Sequence, residues 1–127
     1  MARIAPLPSG PLFKGQQKRP RKRSKDNLVA IHDLPCILTG ERPVEAAHLR
    51  SACRELGKRE TGMQEKPDDI YVVPLSPKKH REQHSMNEIE FWGKHGYQWC
   101  EVVALSQALY LNRDNLEACQ NIIQGAR

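Results

Sequence analysis

Three histidines carry the chemistry open to this sequence. His48 lies in the small-residue stretch EAAHLR (45–50), while His80 and His84 stand four residues apart in SPKKHREQH (76–84). On a helix, imidazoles at i and i+4 share one face a turn apart and can converge on one divalent ion. The same spacing also suits a solvated helix face, because PKKHREQH is strongly polar. An imidazole, with an ordinary pKa of about 6.5, can act as general base near neutral pH, which is the role open to His48. A lone histidine on such a strand is more often a packed or edge residue than a catalyst. Arg50, two positions on, falls on the same predicted strand face and has two uses: gripping a phosphate oxygen or pairing with a nearby acid.

These side chains need elements to position them. Residues 44–50 read as a strand that follows a turn at TGERP. Alternation places Ala46, His48 and Arg50 on one face and Glu45, Ala47 and Leu49 on the other. Residues 51–69 form a long polar connection with Gly57 and Gly62, closing on a Pro-Asp turn at Pro67, Asp68 and Asp69. IYVVPL (70–75) is rich in β-branched residues and reads as a second strand. Ser76 and Pro77 suit the N-cap and first position of a helix running to about residue 85. Asn87, with Glu90 three residues on, caps a short helix ending at Gly96. Two more helices are expected, one over 99–111 burying Trp99, Val102, Val103, Ala108 and Leu109. The other covers 115–124 and buries Leu116, Cys119, Ile122 and Ile123. NLVAIHDLPC (27–36) reads as an extended or irregular lead-in, broken at Pro35. Phe91, Trp92 and Trp99 are expected to pack on the core rather than stack on bases.

The fold class is therefore α+β. A core over 27–98 reads strand, long loop, strand, helix, and a helical extension over 99–127 packs on it. At 127 residues the chain suits one domain with extensions. Its charge is concentrated at one end. Residues 1–25 hold eight basic side chains and no acid, so the formal net charge of +5 comes from that end alone. The segment 1–26 is expected to be a disordered basic tail whose partner is a polyanion, with Lys18, Arg19, Arg21, Lys22, Arg23 and Lys25 making phosphate contacts. Four widely spaced cysteines, Cys36, Cys53, Cys100 and Cys119, are expected as free thiols. With no apolar run of the ~20 residues a membrane span requires and no clear export signal, a cytoplasmic location without membrane contact is expected.

PVEAAHLR, followed by TGM and KPDD and then VVPLS with HREQHSMNE and FW, resembles the HNH-type nucleases of phages and prophages. The nearest likeness is to the recombination-enhancement-function (Ref) group, over about residues 34–98. The resemblance implies a small ββα-metal core and a metal-dependent endonuclease acting on DNA with little sequence preference. It makes His48 the general base and His80 and His84 ligands of one divalent ion, Zn²⁺, Mn²⁺ or Mg²⁺. Arg50 becomes a phosphate contact, and a recombinase filament on single-stranded or branched DNA becomes a partner by analogy.

Two departures stand out. Many HNH enzymes carry a third metal ligand immediately before the base, where this chain has Ala47; Glu45 is a weaker substitute. Relatives often hold a structural zinc on two C-x-x-C pairs, which here read CILT (36–39) and SPKK (76–79). That knuckle is expected to be absent, its place held by packing and by hydrogen bonds of Thr39 and Ser76. His32 is a poor substitute ligand. These losses motivate an alternative, a non-catalytic nucleic-acid-binding or adaptor protein on a decayed nuclease scaffold. A structural phage component is a third possibility.

Overall fold

Ser76 supplies the clearest local signal. Its Oγ accepts a hydrogen bond from the backbone N–H of Lys79, and Pro77 occupies the first helical position, starting a helix that runs Pro77–His84. The computed structural model of the protein describes residues 21–127. Among these lie, in order, α1 (Lys25–His32), β1 (Glu45–His48), β2 (Val72–Leu75), α2 (Pro77–His84), α3 (Glu88–Lys94), α4 (Trp99–Leu111) and α5 (Leu116–Ala126). A short 3₁₀ turn, Arg54–Leu56, lies within the loop between the strands. No helix of the described residues is long and apolar enough to cross a membrane.

β1 and β2 pair antiparallel, with Glu45 opposite Leu75 and His48 opposite Val72. All four residues of β2 are buried, whereas on β1 Ala47 alone is fully enclosed. The ribbon thus turns the Ala47 and Leu49 side chains into the core and leaves His48 partly accessible on the other face. The antiparallel pair and the helix after it match the expected strand, loop, strand, helix order.

The C-terminal helices share the core of the ribbon. Val102, Val103 and Leu109 of α4 and Cys119 and Ile123 of α5 are buried in one cluster with Val72, Val73 and Phe91. Trp99 and Ala108 are half-buried, as is Ile122. Leu116 departs from the expected apolar face and is half exposed, because it opens α5 at the molecular edge directly after the Asn115 cap. Phe91 and Trp92 are fully enclosed and meet edge to face. Burying an aromatic pair of this kind is worth ~0.5–1.5 kcal/mol beyond its area.

The lead-in differs most from expectation. Residues 25–32 are helical, and residues 21–24 are ordered against the loop that ends at Asp69. Asp69 N–H donates to Lys22 O at 2.8 Å, and Lys22 N–H donates to Asp68 Oδ1 at 2.9 Å. On α1, the buried Asn27 donates from Nδ2 to Asp69 O at 2.8 Å, and Ile31 is enclosed. Such long-range hydrogen bonds leave no period in the sequence, so neither the order of 21–26 nor the helix was visible there. The tail expected over 1–26 is therefore folded from residue 21 onward; residues 1–20, with Lys18 and Arg19, lie outside the described residues.

The cysteines divide. Cys36 and Cys119 are free and buried, but Cys53 and Cys100 are joined as a disulfide across a sequence separation of 47, which corrects the free-thiol expectation for that pair. Their Cα atoms are 5.9 Å apart because the loop folds back onto the first turn of α4, a juxtaposition that spacing alone does not disclose.

Candidate functional site

α2 aligns its two histidines by helical geometry. His84 Nε2 lies 3.1 Å from His80 Nε2, and the ring centroids are 4.7 Å apart. Behind them, His80 Nδ1 is 2.7 Å from Glu45 Oε1 on β1. With Nδ1 donating to that carboxylate, Nε2 of His80 presents its lone pair toward His84. A lone pair so directed calls for a proton or a cation between the rings. Nitrogens bound to one ion at ~2.0–2.1 Å stand ~2.9–3.4 Å apart for tetrahedral or octahedral angles, a range that includes the observed separation. The donor set thus fits a divalent metal, and a carboxylate on the far ring nitrogen is the usual support for such a ligand. Glu45 stands behind His80 in this arrangement, a place different from that of the direct ligand considered from sequence.

His48 is positioned by the ribbon and by the closing turn of the loop. Its Nε2 is 2.9 Å from Asp69 Oδ1, leaving Nδ1 as the other ring nitrogen. The same carboxylate receives Arg21 Nη2 at 2.9 Å and Ser24 N–H at 3.1 Å. Burial pushes the Asp69 carboxyl up, but hydrogen bonds from His48, Ser24 and Arg21 outweigh it and hold the group below the usual carboxylate range. An ionised, nearly buried carboxylate therefore fixes His48. The sequence suggested a Pro-Asp turn here, with Asp68 and Asp69 also able to approach a metal; it offered no sign that Asp69 would face His48.

His48 and His84 line one cleft of about 210 Å³, together with Arg50, Gln83, Met86 and Glu88. Both oxygens of Glu88 accept from Arg50 N–H, at 3.2 and 3.1 Å, and Oε1 also takes Ser51 N–H at 2.9 Å. This pins the chain just beyond β1 to the start of α3. Arg50 Nη2 donates to Gly62 O at 2.8 Å and to Glu65 O at 3.1 Å, so its guanidinium organises the long loop while lining the cleft. Neither use foreseen for Arg50 included these carbonyls.

Of the basic residues expected to meet phosphate, Lys22, Arg23 and Lys25 are exposed. Arg21 is spent inside the protein, on Pro67 O at 2.9 Å and on Asp69. The Cys36 thiol, in the CILT segment, is enclosed. Burial pushes it up, and hydrogen bonds from the Thr39 side chain and the Ser76 backbone are chief among those that more than offset this, leaving it below its ordinary value. A further group, Cys53, Glu55 and Cys100, has ligand atoms within 4.8 Å of one another and could hold a metal ion in place of the disulfide.

No curated protein and no solved structure matches this chain. One family does, its pattern spanning residues 6–111, so the chain belongs to DUF968, described as a protein family of unknown function.

Proposed function

We propose that the protein is a metal-dependent endonuclease that hydrolyses DNA phosphodiester bonds on a small ββα-metal scaffold. What chiefly supports the reading is that His48, backed by Asp69, and His84, paired with His80, line a single cleft. The likeness of its motifs to HNH nucleases points the same way. His80 and His84 would hold the divalent ion, which when bound polarises the scissile phosphate and stabilises the departing oxygen.

The chain's own residues do the rest. Asp69 accepts the Nε2 proton of His48, so that Nδ1 is the basic nitrogen and removes a proton from the attacking water. The imidazolium formed is stabilised by the adjacent carboxylate, which stays ionised because Arg21 and Ser24 share it. Glu45 holds His80 in the ligand tautomer. Exposed Lys22, Arg23 and Lys25 add affinity that does not depend on sequence. A recombination intermediate is the substrate the Ref likeness suggests, with a recombinase filament as its carrier.

The test is nicking of supercoiled, single-stranded and branched DNA with Mn²⁺ or Mg²⁺ by wild type, His48→Ala and the His80→Ala/His84→Ala pair. Cleavage by wild type and loss of ~10²-fold or more in His48→Ala, with DNA binding retained, is the expected result. Equal cleavage by both removes His48 from the mechanism. Ala47, fully buried where many HNH enzymes carry a third ligand, favours a second reading, a DNA-binding adaptor. Salt-sensitive DNA retention without cleavage by any divalent metal would establish that reading instead.

A further inference from the structure

Away from the cleft, two sulfurs and a carboxylate converge where the long loop meets α4. Cys53 is buried and exchanges backbone hydrogen bonds of 3.0 Å with Lys58, while Cys100 sits in the first turn of α4. Glu55, on the 3₁₀ turn, points one oxygen at both sulfurs. Its Oε1 is 3.7 Å from Cys53 Sγ and 3.5 Å from Cys100 Sγ. Within a disulfide neither sulfur carries a proton, so this oxygen would meet lone pairs on both sides. A cation shared by all three atoms removes that conflict. A thiolate at ~2.3 Å and a carboxylate oxygen at ~2.1 Å from one tetrahedral ion stand ~3.6 Å apart, midway between the two distances found.

We propose that Cys53, Cys100 and Glu55 form a second metal site, which in the reduced protein holds one Zn²⁺ through two thiolates and one carboxylate oxygen. Two sulfurs select a soft or borderline ion over Mg²⁺, and three protein ligands leave a fourth position for water. The surroundings are prepared without the cross-link. Trp99 Nε1 donates to Ala52 O, and Gln107 Nε2 donates to Leu56 O, both at 3.0 Å, so α4 already holds the loop on either side of Cys53. Binding releases two thiol protons to solvent. A low-molecular-weight disulfide reverses it: the two thiolates give up two electrons, the Cys53–Cys100 bond forms, the small disulfide becomes two thiolates, and Zn²⁺ leaves. The bonded pair seen in the structure is the metal-free, oxidised state. The ion ties to α4 the same loop whose carbonyls hold Arg50, and it does so whether or not the cleft is catalytic.

The test uses full-length, reduced protein carrying His80→Ala/His84→Ala, which silences the cleft, with Co²⁺ as a spectroscopic surrogate. One equivalent of Co²⁺ is expected to produce a near-ultraviolet thiolate-to-cobalt charge-transfer band. Excess Zn²⁺ and oxidised glutathione should each abolish that band. Cys53→Ser and Cys100→Ser should each weaken Co²⁺ binding by at least ~10-fold, and Glu55→Gln should do so with the sulfur band still reached at saturation. Cys100 is partly exposed, so its variant keeps the fold, checked by circular dichroism, even if Cys53→Ser does not. Absence of the band, or a band unchanged in Cys100→Ser because Cys36 or Cys119 supplies it, overturns the proposal.

Discussion

Oδ1 of Asp69 lies 2.9 Å from Nε2 of His48, and the same oxygen is 2.9 Å from Nη2 of Arg21. An imidazole held this way has a fixed tautomer and a fixed ring plane. Replacing the carboxylate by an amide keeps the volume and removes the charge. Asp69→Asn is expected to lower kcat for DNA nicking ~10²-fold, with metal stoichiometry and DNA affinity near wild type. Single-turnover cleavage beside a metal titration checks this, and an unchanged kcat would show that Asp69 serves the fold alone.

Asp69 also ties stability to acidity. Its native pKa is depressed, so between that value and the ordinary carboxylate range the unfolded chain binds more protons than the native one. Stability therefore rises with pH across that window; it is fully present above it and lost as pH falls through the native value. Asp26 adds to the same limb, held at about 2 by hydrogen bonds from Ser24 and Arg113. Urea midpoints measured downward from pH 5 should fall in wild type and fall less steeply in Asp69→Asn. Parallel slopes in the two proteins would contradict the linkage.

How much of this was readable beforehand follows from the range of each interaction. Ser76, Pro77 and Asn87 act within three residues of themselves, so α2 and α3 were placed nearly to the residue. Alternation in EAAHLR separates Ala47 and Leu49 from His48 onto opposite faces, but does not say which face is buried; the structure encloses Ala47 and Leu49 and leaves Glu45, on their side, exposed. Asp69, by contrast, is 21 residues from His48 and 48 from Arg21, and its role depends on the loop closing against α1. Glu88 capping Arg50 and Ser51, and Cys53 meeting Cys100, likewise join segments with no shared pattern. The meeting of His80 and His84 was legible because helical spacing displays it; Glu45 and Asp69 were visible as acids that could near a metal, but not as the partners of His80 and His48.

Glu45 gives a sharper test of the proposed metal pair, His80 and His84, than removal of either histidine. Its carboxylate is 2.7 Å from His80 Nδ1 and half exposed, so Glu45→Gln keeps an acceptor while cancelling the charge. Zn²⁺ affinity at the histidine pair is expected to fall ~10–100-fold, the usual effect of losing such a supporting group. Calorimetry in a Cys100→Ser background isolates this site from the thiolate one. Undiminished affinity would mean that Glu45 and His80 meet without consequence for the ion.

The basic residues ahead of and within α1 divide by what they touch. Arg21 is committed to Pro67 O and Asp69, whereas Lys22, Arg23 and Lys25 present their charges to solvent. Each phosphate neutralised by an exposed cation contributes ~0.9 to the slope of log K against log salt on duplex DNA, so replacing all three by alanine should flatten it by up to ~2.7. Arg21→Ala should leave that slope nearly unchanged and instead reduce cleavage, because it deprives the Asp69 carboxylate behind His48 of a cation. Filter binding across a salt series, run beside the nicking assay, separates the two effects. If Arg21→Ala flattens the slope as much per residue as the triple variant does, its guanidinium leaves Asp69 for phosphate, and the basic segment and the cleft engage DNA as one surface.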